Sequence, residues 1–269
     1  MKKVLFSVAL LIVFVLIAGC TGKNAASGSE AIESSIPIKT ESSSEESKNN
    51  TSDEEKFIIE EDKTLNINGK SITLSYSKTE KANNIQKHDR AVYVGEDATA
   101  EYDIVTGKVI VYGGTVLPEA DDGVTITEQE AQSIAKNIIS KSIDMNGYVL
   151  DMCTYNESLK VYYVSYSKEI LGYKTVESSF VTISQHGNII NFYFNPYVFD
   201  DLNVVKPDEA ALINKLDNDI KNRFKNSLGY EITEKRLTLN AEKKVALQFS
   251  VSVKYENHTS GTVLSYPIE

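Results

Sequence analysis

The chain has 269 residues, a formal net charge of −10 and a hydrophobic fraction of 41%. That acidity argues against nucleic acid, whose phosphates demand a basic face, and against a charge-driven grip on anionic lipid. With only two cysteines, the fold must be stabilised by a hydrophobic core rather than by disulfides.

The chain opens on the cationic Met1-Lys2-Lys3, and Val4 to Ile17 then run without a charge. This apolar run of about fourteen residues is short of the roughly 20 needed for a permanent membrane helix. A basic start, a short apolar core and a small-residue exit describe an export signal over residues 1–19. The exit, Leu16-Ile17-Ala18-Gly19-Cys20, resembles the lipobox of bacterial lipoproteins. The resemblance implies peptidase recognition through Leu16, Ile17, Ala18 and Gly19. It also implies a diacylglyceryl group on Cys20, which would hold the protein at the extracytoplasmic face of the cell membrane. Lipidation of Cys20 leaves Cys153 alone, and Cys153 reads as a small buried hydrophobe on a strand.

Residues 20–56 form the acylated Cys and a tether rich in Ser and Glu, as in Glu41-Ser42-Ser43-Ser44-Glu45-Glu46. The scattered Ile32, Ile36 and Ile38 cannot build a core, so the composition is that of a disordered spacer. Such a coil spans roughly 30–36 Å, and on the order of 120 Å when stretched.

A β-rich segment is expected over 57–120. Thr64 to Ser77 reads as two strands joined at Asn68-Gly69, a strong hairpin signal. Thr99 to Val105 and Lys108 to Tyr112 read as a second pair turning at Thr106-Gly107, with the polar stretch from Lys78 to Arg90 a loop between the pairs. A unit over 121–202 follows. Its helix begins at Thr127-Glu128-Gln129-Glu130, a capping box, and buries the stripe Ala131, Ile134, Ala135, Ile138 and Ile139. Strands are then expected at 148–155, 159–168, 175–184 and 188–195, with turns at 156–158, Leu171-Gly172 and His186-Gly187-Asn188.

The plan recurs over 203–269. Aligning Glu209-Ala210 with Glu130-Ala131 puts Pro207 in the first helical turn and Lys206 where Thr127 caps. Ile213, Leu216, Ile220 and Phe224 form the expected buried stripe. Strands follow at 231–239, 244–255 and 261–268. In the middle one Val245, Leu247, Phe249, Val251, Val253 and Tyr255 face one way. The expected class is α+β: antiparallel meanders, each packed under one helix, in two repeats after a β-rich segment.

Thr127 to Ala135, Val161-Tyr162-Tyr163-Val164, Ile170-Leu171-Gly172-Tyr173 and His186-Gly187-Asn188-Ile189-Ile190 together resemble PepSY-like domains over about 124–198. The resemblance is weaker over 205–269. It implies binding: members of that family include inhibiting and chaperoning propeptides of secreted proteases and accessory domains of envelope lipoproteins. It carries over no catalytic residue.

The residues agree with that reading. His88, His186 and His258 fall in expected turns or loops without the spacing of a zinc site. The pairs Asp121-Asp122 and Asp200-Asp201 lack the spacing of a calcium loop. No cofactor, metal or catalytic group is expected. Fifteen tyrosines without a tryptophan suggest a candidate binding face at Tyr162, Tyr166, Tyr173 and Tyr193 for an exported or envelope protein. The expected function is a membrane-anchored, non-catalytic binding module that modulates an exported protease or envelope enzyme. The alternatives are a solute-binding lipoprotein of a transporter, or a structural envelope lipoprotein.

Overall fold

Among the described residues, the chain between Asp62 and Pro267 forms twelve strands, interrupted twice by a helix. A computed structural model describes residues 57–83, 86–114 and 124–268. The expected signal, Cys20 with its lipobox, the tether and Asp121-Asp122 lie outside the described residues. The strands are β1 (Asp62–Ile67), β2 (Lys70–Glu80), β3 (Arg90–Val94), β4 (Ala98–Asp103), β5 (Val109–Gly114), β6 (Tyr148–Asn156), β7 (Val161–Ile170), β8 (Tyr173–Ser184), β9 (Ile189–Phe194), β10 (Gly229–Leu239), β11 (Val245–Lys254) and β12 (Thr259–Pro267). The helices are α1 (Glu128–Ser140), between β5 and β6, and α2 (Glu209–Arg223), between β9 and β10.

The expected α+β class does not hold. All twelve strands belong to one sheet, in the order β1-β2-β3-β4-β5-β9-β8-β10-β11-β12, with β6 paired to β7 and β7 to β8. The sheet is mixed, because β10 lies parallel to β8 at Arg236 and Leu237 opposite Lys174 and Thr175. Among the described residues strand predominates, and the two helices have only 13 and 15 residues. The physical reason is edge pairing: the free edges that two separate meanders would expose are joined to other strands instead. The stretch expected to be a loop between the first two strand pairs also leads into a strand. Arg90-Ala91-Val92-Tyr93 is buried, and β3 joins the two pairs into one meander.

Local signals are followed more closely. Thr127 Oγ1 accepts from Glu130 N at 3.3 Å, and Glu130 Oε2 accepts from Thr127 N at 2.7 Å, so the capping box forms. Ala131, Ala135 and Ile139 are fully buried on α1, and the two alanines let the helix lie close over β6, β7 and β8. Gly187, at φ +88°, supplies a left-handed turn, and a Cβ there would press on Ile134 Cδ1 at 3.3 Å. The second helix starts later than expected. Its cap is Asp208, whose carboxylate accepts from Ala211 N at 3.1 Å, so Pro207 precedes the cap. Its buried stripe is Leu212, Leu216 and Ile220, with Ile213 and Phe224 only half-buried.

Two apolar cores result. One joins β1–β5, α1 and β7–β9, through residues such as Leu74, Tyr93, Ile139, Val164, Val181 and Phe194. The other joins α2 to β10–β12 through Leu216, Leu237, Leu247 and Phe249, and takes in Tyr173, Val198 and Phe199. The first is closed by Asn68, which occupies the left-handed region at φ 50° in the β1–β2 turn. Its amide donates to Ile189 O and accepts from Ile189 N, both at 2.8 Å, and so stands in for a strand partner at the start of β9.

This double use of Asn68 separates two contributions. Asn68→Gly keeps the turn and loses the clamp, and should cost about 1–2 kcal/mol for two hydrogen bonds. Asn68→Ala loses both the clamp and the left-handed preference, and should cost more. Urea unfolding of the two variants checks the order; equal stability to the parent in both would show that the clamp contributes nothing.

Candidate functional site

A cleft of about 270 Å3 opens where the two cores meet. Its walls are the connection after α1 (Ile143, Asp144, Asn146), Tyr148 at the start of β6, Lys168 on β7, Glu177 on β8, and Pro196, Tyr197 and Asp200 after β9. The period of two along β8 places Glu177 on the same face as Ser179, Val181 and Ile183. It is 1% exposed, so its charge must be paired and hydrogen-bonded. Tyr148 Oη donates to Glu177 Oε1 at 2.9 Å, Lys168 Nζ donates to the same oxygen at 3.0 Å, and Phe199 N donates to Oε2 at 3.3 Å. Lys168 also pairs with Asp200 Oδ1 at 3.2 Å.

Glu177 lies where the β7–β8 register slips. The pairing passes from Ser167↔Ser178 to Glu169↔Lys174, so Thr175, Val176 and Glu177 on β8 stand opposite Lys168 alone, and such a bulge re-aims side chains. Burial works against the Lys168 ammonium, but the Glu177 and Asp200 carboxylates outweigh it and raise its pKa. Burial, reinforced by the neighbouring Glu177 charge, pushes the Tyr148 phenol far up, so it remains a donor. The arrangement fixes charge and leaves little freedom for proton transfer: Glu177 receives three donors, and its phenolic neighbour keeps its proton.

Tyr197 separates this cleft from a smaller void of about 10 Å3, with Pro196 and Tyr197 common to both walls. Tyr197 sits at φ 68°, a conformation uncommon for a bulky residue, and its ring lies 5.4 Å from that of His88. His88 Nδ1 is 2.7 Å from Asp103 Oδ2, while Asp103 Oδ1 accepts from Val105 N and Thr106 N and shapes the β4–β5 turn. The partner of His88 is therefore Asp103, not the adjacent Asp89, which binds Lys81 and Ala82 N. Asn195 also lines the void. It is 4% exposed, its Nδ2 donates to Val176 O at 3.2 Å, and its Oδ1 has no partner among the described residues.

A second polar cluster ties the two halves of the sheet together. Asp151, the bulge residue where the β6–β7 register slips, binds Lys174 Nζ at 2.6 Å, Arg236 Nη2 at 2.5 Å and Ser167 Oγ at 3.0 Å. Arg236 also binds Ser167 Oγ at 3.1 Å and pairs with Glu234 at 2.7 Å. Nearby, Glu209 at the start of α2 accepts from Tyr173 Oη and Lys235 Nζ. Burial opposes the Asp151 charge, yet its bonds with Lys174 and Arg236 prevail and lower its pKa.

The tyrosines singled out in the sequence are not brought onto one surface. Tyr162 and Tyr166 lie beneath α1, donating to Ile126 O at 2.8 Å and Gln132 O at 3.3 Å. Tyr173 belongs to the second core, and Tyr193 accepts from Gln86 Nε2 at 3.1 Å. Cys153 is half-buried on β6, its Sγ 3.9 Å from Glu128 O, and burial raises its thiol pKa. Asp200 and Asp201 serve as ion-pair partners of Lys168 and Lys87. Sequence reasoning passed over Lys168, Glu177, Asp151 and Arg236. The available signal was a charge placed mid-strand, as Glu177 is between Thr175 and Ser179 on a face that is apolar further along. Among the described residues, no group of three or more His, Cys, Asp or Glu is placed to hold a metal ion.

No protein-family profile matches the chain, and no curated protein matches it. Among solved structures it is similar to the Bacillus megaterium YpeB C-terminal domain, with a TM-score of 0.38 at 11% sequence identity, over 71% of this chain and 88% of that one.

The lowered Asp151 pKa makes stability depend on pH in a stated direction. Unfolded, the group titrates near about 3.9; folded, it titrates lower. Its contribution is therefore present above about pH 4 and is lost as pH falls through the folded value. Asp151→Asn should destabilise the protein by about 1.5–3 kcal/mol at pH 7, the range for hydrogen bonds to charged groups, and by less at pH 3. Chemical unfolding at the two pH values checks this, and a penalty independent of pH would show that the charge is not what matters.

Proposed function

We propose that the chain is an extracytoplasmic lipoprotein, anchored through Cys20 and set off from the membrane by residues 21–56. Its folded part acts as a non-catalytic protein-binding module that restrains or assists an exported protease or envelope enzyme. The export-signal pattern of residues 1–19 and the lipobox-like run to Cys20 support the address. The PepSY-like motifs over 124–198 support the binding role. The observation that carries the non-catalytic reading is the state of Glu177. Its carboxylate is held by Tyr148, Lys168 and Phe199 N, so it is a fixed, bonded group and not a free acid or base.

Replacing Cys20 with Ser tests the address. The variant should leave the membrane fraction while its unfolding transition stays that of the parent. Continued membrane association, together with no uptake of labelled lipid by the parent, would overturn the anchoring. For the binding role, crosslinking in intact cells should join the anchored protein to a defined exported protein. That protein, once purified, should rebind the full-length Cys20→Ser chain; absence of any such complex counts against the module reading.

A further inference from the structure

We propose that the outer edge of β12 pairs antiparallel with the same edge of a second copy of the chain, joining two sheets into one across a two-fold axis at Val263. This goes beyond the binding reading above and does not depend on it. Among the described residues three strands end the sheet: β1, β6 and β12. A free edge is a template for another chain, and proteins blunt it with charges, bulges or very short strands. β1 carries Asp62 and Lys63, and β6 carries Asp151 at its register slip. β12 has neither protection. Its nine residues, Thr259 to Pro267, include no charge, and its register with β11 runs without a shift.

The pairing with β11 fixes which backbone groups point outward. Ile268 N donates to Val245 O just past one end of the strand, and Tyr255 N donates to His258 O just past the other. Bonded and non-bonded pairs alternate along an antiparallel ladder, so the even-numbered residues from 258 to 268 bond to β11. The N–H and C=O groups of Thr259, Gly261, Val263 and Ser265 therefore face away from the sheet. Pro267, which shares their direction, has no N–H to offer. The space beside this edge is open: Val263 is 52% exposed, and a Cβ added at Gly261 would meet nothing within 4 Å.

That pattern is self-complementary. With Val263 opposite Val263 of the copy, Gly261 faces Ser265 and Thr259 faces Pro267, so every outward N–H meets a carbonyl. The two prolines fall at the ends of the new ladder, where a missing donor interrupts nothing. Such a contact is isologous, as a two-fold dimer requires. Charge decides the occupant. At a net −10 the chain repels a second copy over most approaches, whereas the uncharged β12 edge lets two copies meet without like charges opposed. The two exposed Val263 side chains then lie side by side and shield each other from water.

The test uses the purified full-length Cys20→Ser chain. Sedimentation over a range of concentrations should show monomer and dimer in equilibrium. Amide exchange at Thr259, Gly261, Val263 and Ser265 should slow as concentration rises, while Ser260, Thr262 and Leu264, already bonded to β11, should not change. Val263→Lys sets two ammonium groups opposite each other and should weaken dimerisation about tenfold or more, with a cooperative unfolding transition retained. Register is read with cysteines on a Cys20→Ser/Cys153→Ser background. Opposed residues of a bonded pair lie about 5.5 Å apart at Cα, within disulfide reach, so Val263→Cys should crosslink to itself under oxidised glutathione. Ser265→Cys, also exposed on this edge but opposite Gly261 of the copy, should not.

A monomer at every concentration, with exchange at the four outward amides unchanged, overturns the proposal. So does association that Val263→Lys leaves intact, since it must then arise elsewhere on the chain, and so does equal crosslinking of the two cysteine variants. If the four amides are protected only when the crosslinked exported protein is added, the edge belongs to that protein and the self-pairing falls.

Discussion

Backbone hydrogen bonding along β8 is the constraint on which the arrangement of the chain depends. A strand has two edges, yet β8 has three neighbours. One edge carries β7 along its length; the other is divided between β9, at Ser179 to Ile183, and β10, at Lys174 and Thr175. The sheet forks at this division. Through β9 it runs on to β5 and the N-terminal meander, and through β10 to β11 and β12. Each arm buries its own apolar face, one beneath α1 and the other against α2, so two cores share one strand.

The fork also determines where polar chemistry gathers. A parallel contact of only two residue pairs is a slender joint, and it is reinforced by side chains reaching across it. Arg236 on β10 reaches Asp151 on β6 and Ser167 on β7, while Tyr173 and Lys235 meet at Glu209 on α2. Where the two cores meet, the cleft around Glu177 opens, and Phe199 of the second core donates its N–H to that carboxylate. Asp151 in β6 and Glu177 in β8 both lie in bulges, where the pairing departs from strict register and a charge is turned inward. Buried charges held this way carry a desolvation penalty that the surrounding bonds must offset. Such groups therefore specify an arrangement more than they add to stability.

Much of the local structure was legible in the residues. The capping box at Thr127, the Asn68-Gly69 hairpin, the α1 stripe and the alternation of Val245 to Val253 all appear where their patterns place them, because each depends on neighbours within a few positions. Patterns that depend on distant residues were not legible. Asn68 reads as a turn residue, and nothing nearby shows that its amide will bind Ile189. Tyr162 and Tyr166 read as candidates for a binding face, but their hydroxyls are taken by the backbone around α1. Glu177 and Lys168 read as ordinary strand charges, since a bulge leaves no mark in composition. The cap of α2 moved two residues, from Lys206 to Asp208, because a carboxylate makes the better cap.

By itself, the sequence determined the spacing of strands and helices, the faces they bury, the acidity of the molecule and the lipobox-like run ending at Cys20. These follow from residue type and short-range periodicity. Only the tertiary structure decided that the strands form one mixed sheet, that β8 is shared, and that Glu177, Lys168, Tyr148 and Asp200 meet at a cleft. The reason is that strand edges are chemically alike: every backbone offers the same N–H and C=O groups, so the choice of neighbour rests on how the whole set of apolar faces can be buried together.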